Sequence, residues 1–93
     1  MKIQGIIWLA RFVEKIEKKH GVGVDEVEEV FSNRPRVRRI EKGVVAGEHL
    51  YRALGATDAG RYLAVFFLRK PQGALVISAR DASPAERKSY GKK

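Results

Sequence analysis

The strongest structural signal in this chain lies near its end, in Ile77-Ser78-Ala79-Arg80-Asp81-Ala82-Ser83-Pro84-Ala85-Glu86-Arg87-Lys88-Ser89-Tyr90. The first half of this stretch is typical of a strand, and the second half opens like a firmly capped helix. Ser83 suits the N-cap, Pro84 suits the first helical position, and Glu86 completes a capping box. The stretch therefore predicts a final strand that brings Arg80 to a sheet edge and passes at once into a C-terminal helix.

The residues before this stretch follow a period of two, which is typical of strands. The charged segment Arg36–Ile40 suits the edge of a sheet better than its centre. The segment His49–Leu54 alternates in a way that predicts a half-buried strand. The run Tyr62–Leu68 is almost continuously apolar and predicts a central strand buried on both faces. A turn at residues 71–73 then leads into the last strand, Ala74–Arg80.

The first part of the chain predicts one short strand and two helices. Residues Lys2–Trp8 are apolar, with β-branched isoleucines that suit a strand. Apolar side chains then recur at helical spacing until His20-Gly21, where a basic group and a glycine end the helix. Asp25 with Glu28 resembles a second capping box, so we expect a short helix from Asp25 that stops before Pro35.

Together these elements predict an α+β fold with the order β-α-α-β-β-β-β-α. We expect an antiparallel sheet with two N-terminal helices on one face and a C-terminal helix, and turns at Gly43 and Gly47. A chain of 93 residues has room for one hydrophobic core, so residues 1–93 are expected to form a single domain.

The composition argues against several classes of protein. No apolar run approaches the roughly 20 residues that a membrane span requires, and no signal-peptide pattern is present. The absence of cysteine excludes disulfides and Cys-based zinc sites. Two distant histidines give no metal-ligand spacing, so we expect no metal and no other cofactor. A cytoplasmic location without membrane contact is consistent with this composition.

The charge of the chain favours a polyanionic partner. There are 19 Lys and Arg residues against 11 Asp and Glu residues, which gives a net charge of +8. Such an excess in a short chain favours RNA, DNA or an acidic protein surface. The acids cluster in residues 25–29 and arginines follow in residues 34–39. We therefore expect a dipolar molecule with one strongly positive face.

Residues from most of the chain carry a resemblance to a known family. They are Trp8, Lys19-His20-Gly21-Val22, Val30-Phe31, Gly47-Glu48, Tyr51 with Ala53 and Gly55, Gly60-Arg61, and Ser78-Ala79-Arg80 with Glu86-Arg87 and Tyr90. In this pattern the chain resembles the BrnT-type toxins of type II toxin–antitoxin pairs. It departs from them at Leu50, where the family often carries an arginine, although Arg52 lies on the same face of the predicted strand.

The resemblance implies a RelE-like fold and a small ribonuclease that a cognate antitoxin, usually of the ribbon–helix–helix type, holds inactive. It implies RNA as the substrate, and operator DNA as a ligand only through the antitoxin complex. Two alternatives stay open. One is a catalytically degenerate homologue that keeps only antitoxin or nucleic-acid binding, and the other is a corepressor that acts on DNA inside the complex.

Metal-independent RNA cleavage defines which side chains matter. A 2′-hydroxyl attacks the adjacent phosphate, so the negative charge that develops must be held by fixed donors. Arginine suits this task because its planar fork meets two phosphate oxygens and stays charged. Arg52, Arg61 and Arg80 lie on or beside neighbouring predicted strands. We expect Arg80 and Arg61 to clamp the phosphate, with Arg52 assisting.

Proton transfer and RNA binding have further candidates. Histidine is the residue type best suited to proton transfer near neutral pH, which makes His20 a candidate, but His20 also suits a helix C-terminus, where it stabilises the helix dipole. Tyr90 is either an acid or stacking group for RNA or a packing residue. The expected phosphate-backbone contacts are basic and follow the edge strand and the last helix. They are Arg36, Arg38, Arg39, Arg87 and Lys88.

Overall fold

The computed structural model of the protein describes residues 5–41 and 49–91. The expected turns at Gly43 and Gly47 lie outside the described residues. Within them the order of helices and strands is the order that the sequence predicts. The elements are β1 (Ile6–Ile7), α1 (Ala10–His20), α2 (Val24–Ser32), β2 (Arg36–Glu41), β3 (Leu50–Ala56), β4 (Tyr62–Lys70), β5 (Gly73–Asp81) and α3 (Pro84–Gly91).

The five strands form one sheet in the order β1-β5-β4-β3-β2. Strand β4 lies in the middle and the arginine-rich β2 lies at an edge, as predicted. Strands β2 to β5 pair antiparallel, but β1 pairs parallel with β5, with Ile6 opposite Ala74. The predicted α+β fold is therefore confirmed, although the sheet is mixed and not antiparallel throughout. The hydrophobic pattern of a two-residue strand does not specify its direction, which depends on where the chain enters the sheet.

Helices α1 and α2 cover one face of the sheet. Ile16 of α1 and Val27 and Val30 of α2 join a core with Val65 and Phe67 of β4, and all are at most 2% exposed. Phe67 also stacks on Tyr51 and meets Phe31 edge-on. Burying a large apolar side chain contributes about 1.5–3 kcal/mol, so this layer contributes strongly to stability.

Helix α3 lies on the opposite face, which we call the α3 face. Leu54 and Ala64 are cross-strand neighbours at most 2% exposed. They point away from the α1 and α2 core because side chains alternate along a strand. Arg52 shares their face and contacts Glu86 of α3. The sheet thus has helices on both sides.

The helix ends follow the expected chemistry with one exception. Helix α1 ends at Gly21, whose φ of 61° lies in the left-handed region that glycine adopts readily. Helix α2 begins at Val24 with Gly23 as its N-cap, so the prediction that Asp25 caps it is wrong. The Glu26 carboxylate accepts the backbone N–H of Gly23 at 3.0 Å, which fixes this start two residues earlier.

No helix in the described part of the chain is long and apolar enough to cross a membrane.

The junction of β1 and β5 yields a test of the parallel pairing. Gly73 has a φ of +144°, and a Cβ there would overlap the Gly5 carbonyl oxygen. That oxygen accepts the N–H of Ala74 at 2.8 Å. We expect Gly73→Ala to lower the free energy of unfolding by about 2–4 kcal/mol, because backbone strain and the loss of this contact add.

The matched control is Gly60→Ala. Gly60 has a φ of +91°, but no heavy atom lies within 4 Å of the position that a Cβ would occupy. The Gly60→Ala variant should therefore lose only about 1 kcal/mol of the free energy of unfolding, the cost of holding a residue with a Cβ at positive φ. Urea denaturation of both variants measures the difference, and equal destabilisation would contradict the β1–β5 pairing.

Candidate active site

Two arginines and one glutamate meet on the α3 face. Arg80 donates to both carboxylate oxygens of Glu86, from Nη1 at 2.7 Å and from Nη2 at 3.0 Å. Arg52 approaches the same carboxylate from β3, with its Nη1 at 3.4 Å from Oε2. The Glu86 side chain is 11% exposed, whereas that of Arg80 is 39% exposed. We call these three residues the arginine cluster.

A bulge in β5 gives Arg80 its direction. Phe66 pairs with Ser78 but Phe67 pairs with Val76, so Ile77 is an extra residue in β5. Val76 and Ala79 both point into the α1 and α2 core at 0% exposure, although they are three residues apart. If Ile77 were instead paired in a regular ladder, strict alternation from Val76 would turn Arg80 toward the helical core. The bulge therefore delivers Arg80 to the α3 face, a frequent use of bulges.

The same glutamate also caps α3. The backbone N–H of Ser83 donates to Glu86 Oε1 at 2.8 Å, and the Glu86 N–H donates to the Ser83 hydroxyl at 3.2 Å. The predicted capping box is therefore confirmed. It places the Glu86 carboxylate at the start of the helix, where the helix dipole favours negative charge.

The arginine cluster keeps Glu86 ionised. The hydrogen bond from Arg80 lowers the pKa of Glu86 to about 2, against the opposing effect of burial, and Ser83 and Arg52 assist. The same hydrogen bond raises the pKa of Arg80. A general base works best with a pKa near the operating pH, so Glu86 is poorly suited to that task. The two arginines and one carboxylate carry a net charge of +1, which leaves the cluster attractive to a phosphate.

Arg61 does not join the arginine cluster. It lies on the side of α1 and α2, where Nε donates to Asp81 at 2.8 Å and Nη1 donates to Glu26 at 3.0 Å. Its guanidinium also donates to the backbone carbonyls of His20 and Gly21. The expected convergence of three arginines is therefore wrong. Arg61 instead ties the end of α1 to the start of α2 and the end of β5.

His20 lies beside this second group. It occupies the last turn of α1, and its proximity contributes to the low pKa of Asp81, after the larger effect of the Arg61 hydrogen bond. Its carbonyl accepts from Arg61 at 3.3 Å. The helix-terminal role that the sequence allows accounts for this position, and the imidazole is on the side of the sheet away from Arg80.

Tyr90 and Arg87 both pack on Tyr62. The Tyr90 ring meets Tyr62 edge-on at 6.0 Å, and the Arg87 guanidinium lies 4.5 Å from the centroid of that ring. The Tyr90 hydroxyl approaches the Asn33 carbonyl at 3.5 Å. The packing role that the sequence allows for Tyr90 accounts for these contacts. Arg87 is exposed beside a groove of about 270 Å³ that also includes Arg61.

The other basic candidates divide between the two faces. Arg36 and Arg38 lie on the α3 face, since Arg38 is opposite Arg52, and Arg36 donates to the Ser89 carbonyl at 2.7 Å. Lys88 lines a groove of about 390 Å³ with Arg36. Arg39 is opposite Tyr51 and so points to the other face. Most basic candidates therefore surround α3.

Most acidic side chains in the described part of the molecule lie away from α3. Helices α1 and α2 carry most of them on the face away from α3, and Glu86 is the acid of the arginine cluster. The six on these helices are Glu14, Glu17, Asp25, Glu26, Glu28 and Glu29. Helix α1 also carries four basic residues, Arg11, Lys15, Lys18 and Lys19, so the dipolar arrangement stays a prediction. Across residues 5–41 and 49–91, no group of three or more acidic or histidine side chains is arranged to hold a metal ion.

Sequence reasoning assigned Glu86 to the cap alone and missed its bond to Arg80. The signal that could have revealed it is the spacing of the two residues around the strand–helix junction. Phe66 was also missed, because an apolar run predicted burial on both faces. Phe66 is only half-buried and lies 5.2 Å from the Arg80 guanidinium.

The low pKa of Glu86 predicts a pH-dependent loss of stability. Because its folded pKa is about 2 and its ordinary value is 4.5, its contribution is complete above pH 4.5 and is lost as the pH falls toward 2. We expect Glu86→Gln to lower the free energy of unfolding by about 1–3 kcal/mol at pH 7. The difference from wild type should shrink below pH 4.5. Denaturation at a series of pH values measures it.

The exposed ion pair of Glu14 and Lys18 supplies the control. Glu14→Gln should change stability little at any pH, because exposed pairs contribute little. A Glu86→Gln effect that stays constant down to pH 2 would contradict the assignment of the low pKa to Glu86.

Comparison with known proteins agrees with the resemblance seen in the sequence. No curated protein matches the chain. The family model described as the ribonuclease toxin BrnT of type II toxin–antitoxin systems matches residues 11–86. This range covers most of the 93 residues and contains the whole arginine cluster. On this evidence the chain belongs to the BrnT family of ribonuclease toxins of type II toxin–antitoxin systems.

Proposed function

We propose that the protein is the toxin of a type II pair and that it cleaves RNA without a metal ion, using Arg80 and Arg52 to stabilise the phosphate. The observation that carries this proposal is the meeting of the two arginines at Glu86 on the basic α3 face. The Glu86 carboxylate holds both guanidinium groups in a fixed orientation. Donors fixed before the reaction stabilise developing charge without the cost of reorganisation.

The chemistry requires one bond to form and one to break. The 2′-oxygen attacks phosphorus and loses its proton, the 5′-oxygen leaves and gains one, and a 2′,3′-cyclic phosphate remains. The negative charge on the nonbridging oxygens rises on the way to the phosphorane. Arg80, with 39% of its side chain exposed, donates hydrogen bonds to these oxygens. Arg52 adds positive charge from the other side of the shared Glu86 contact.

Within this proposal the remaining candidates have different roles. Arg61 and Tyr90 maintain the fold through their contacts with Asp81 and Tyr62. His20 stays a candidate for proton transfer only if RNA reaches the other side of the sheet. Arg36, Arg38, Arg87 and Lys88 attract the RNA backbone around α3, and Arg39 extends this field past the sheet edge.

The family membership implies an antitoxin partner. We further propose that this antitoxin is of the ribbon–helix–helix type and that operator DNA is bound only by the toxin–antitoxin complex. The proposal locates the protein in the cytoplasm, where its RNA substrate is found.

Two observations favour the second candidate, a degenerate toxin that only binds. The Glu86 carboxylate already occupies the fork of Arg80, the geometry in which a phosphate would bind. Leu50 also stands on the α3 face where the family often carries an arginine, with Arg52 two residues along. A binding module would retain RNA affinity and never cleave, which separates it from the leading proposal.

Cleavage of a labelled, single-stranded RNA in excess EDTA tests the mechanism. We expect the wild-type protein to leave cyclic-phosphate ends, and Arg80→Ala to slow cleavage by about 10²–10³-fold, as loss of one preorganised donor does. Arg80→Lys should also be slow, because it keeps the charge but loses the bidentate fork.

Arg61→Lys is the matched control, because it changes an arginine that lies outside the cluster. It should lower thermal stability and leave the cleavage rate of the folded protein within a few-fold of wild type. Equal losses for Arg61→Lys and Arg80→Lys would contradict the assignment of Arg80. A folded wild-type protein that binds RNA and never cleaves it, with or without ribosomes, would favour the binding module.

A further inference from the structure

A row of side chains on the α3 face lies beside α3. Ser78, Phe66, Arg52 and Arg38 are successive cross-strand neighbours from β5 to β2. Directly opposite residues present their side chains to the same face of a sheet. We call these four residues the cross-strand row. Three strand spacings separate its ends, about 14 Å, so the row has room for more than one nucleotide.

Phe66 offers an aromatic surface in the middle of this row. Its neighbours in β4, Val65 and Phe67, are 0% exposed, whereas Phe66 is half-buried. The Arg80 guanidinium lies 5.2 Å from the centre of its ring. A base that enters beside Arg80 would contact both the ring and the guanidinium plane, and both groups stack on bases.

The outer half of the row has an unusual pair of charges. Arg38 and Arg52 are directly opposite each other in the ladder between β2 and β3. Like charges in this position are destabilising, and the Glu86 carboxylate contacts Arg52 at 3.4 Å. Arg38 is exposed beyond that contact. A phosphate between the two guanidinium groups would relieve their repulsion, so the pair is suited to bind an anion.

We propose that the cross-strand row binds single-stranded RNA, with one base stacked on Phe66 and a neighbouring phosphate held between Arg38 and Arg52. The inference rests on the proposed function, because the row adjoins the phosphate assigned to Arg80. It narrows the substrate class. The bases of a duplex are stacked on each other and do not offer their faces to a protein side chain, so the RNA at the row is unpaired.

Binding of an oligonucleotide that resists cleavage tests the row separately from catalysis. The probe is a fluorescent, unpaired 12-nucleotide RNA that is methylated at every 2′-oxygen. It is compared with a methylated hairpin in which the same 12 nucleotides are base-paired with a complementary segment. We expect Phe66→Leu to weaken single-strand binding by about tenfold or more, because stacking on an aromatic ring is lost. Phe66→Tyr should bind within about twofold of wild type.

Phe12→Leu is the matched control, since Phe12 is a half-buried aromatic in α1 that also lies beneath cationic groups. It should leave binding unchanged. Arg38→Gln should reduce the slope of log affinity against log salt by about 0.7, the share of one phosphate on a single strand. Cross-linking of a 4-thiouridine probe to the peptide that contains Phe66 gives a measurement that needs no variant.

The outcomes separate the inference from the proposed function. Three results would overturn the inference, even if the protein cleaves RNA. They are a folded Phe66→Leu variant that binds single strands as tightly as wild type, a wild-type protein that binds the hairpin as tightly as the single strand, and a cross-link to a peptide without Phe66. Phe66-dependent binding without any cleavage would support the row and reject catalysis. If Phe66→Leu weakens binding of an antitoxin and not of RNA, the row is a protein-docking surface and the inference fails.

Discussion

The position of one carboxylate organises the α3 face. The Glu86 carboxylate accepts a hydrogen bond from the Ser83 N–H at the start of α3. It also accepts hydrogen bonds from Nη1 and Nη2 of Arg80 on β5 and from the Arg52 guanidinium on β3. These contacts join a helix and two nonadjacent strands through a side chain that is 11% exposed. Leaving a charge of this kind without partners costs several kcal/mol. The start of α3, the direction of Arg80 and the position of Arg52 therefore depend on each other.

Strand alternation beyond the bulge in β5 separates this cluster from a second group of charges. Asp81 faces the helical core side, where Arg61 holds it to Glu26, while Arg80 next to it faces α3. Alternation sends these two adjacent charged side chains to opposite faces, and the extra residue decides which face each one takes. Arg61 on one side is satisfied by acids and carbonyls of the protein. Arg80 on the other side keeps 39% of its side chain exposed.

Much of the fold could be predicted from local sequence chemistry. Several features depend only on neighbours within a few residues. They are the ends of α1 at Gly21 and of α2 before Pro35, the capping box at Ser83, and the central strand. The direction of β1 could not be predicted, because its two residues carry no information about the path of the chain. The predicted N-cap of α2 lies two residues too late in the chain. Asp25 was expected to cap the helix because its side chain is a common N-cap, but the Glu26 carboxylate accepts the backbone N–H of Gly23 and makes Gly23 the N-cap.

The candidate site was only partly predictable. The strand pattern and the family resemblance identify Arg80 and Arg52, and both reach one face. Arg61 was expected with them because it also adjoins the central sheet, yet the face of a side chain depends on a one-residue register. The bulge at Ile77 and the open face of Phe66 arise from pairing between distant segments. A single sequence does not report such pairing.

The charge of the arginine cluster has a consequence for the chemistry. The pKa of Glu86 is about 2 and that of Arg80 is raised above an already high value, so neither group titrates near neutral pH. The cluster therefore keeps a net charge of +1 throughout the range in which RNA is stable. In the proposed mechanism, the cluster would supply constant electrostatic stabilisation, which needs no proton transfer. Any dependence of cleavage on pH near neutrality must come from groups outside the cluster or from the RNA itself, which separates the residues that hold charge from those that move protons.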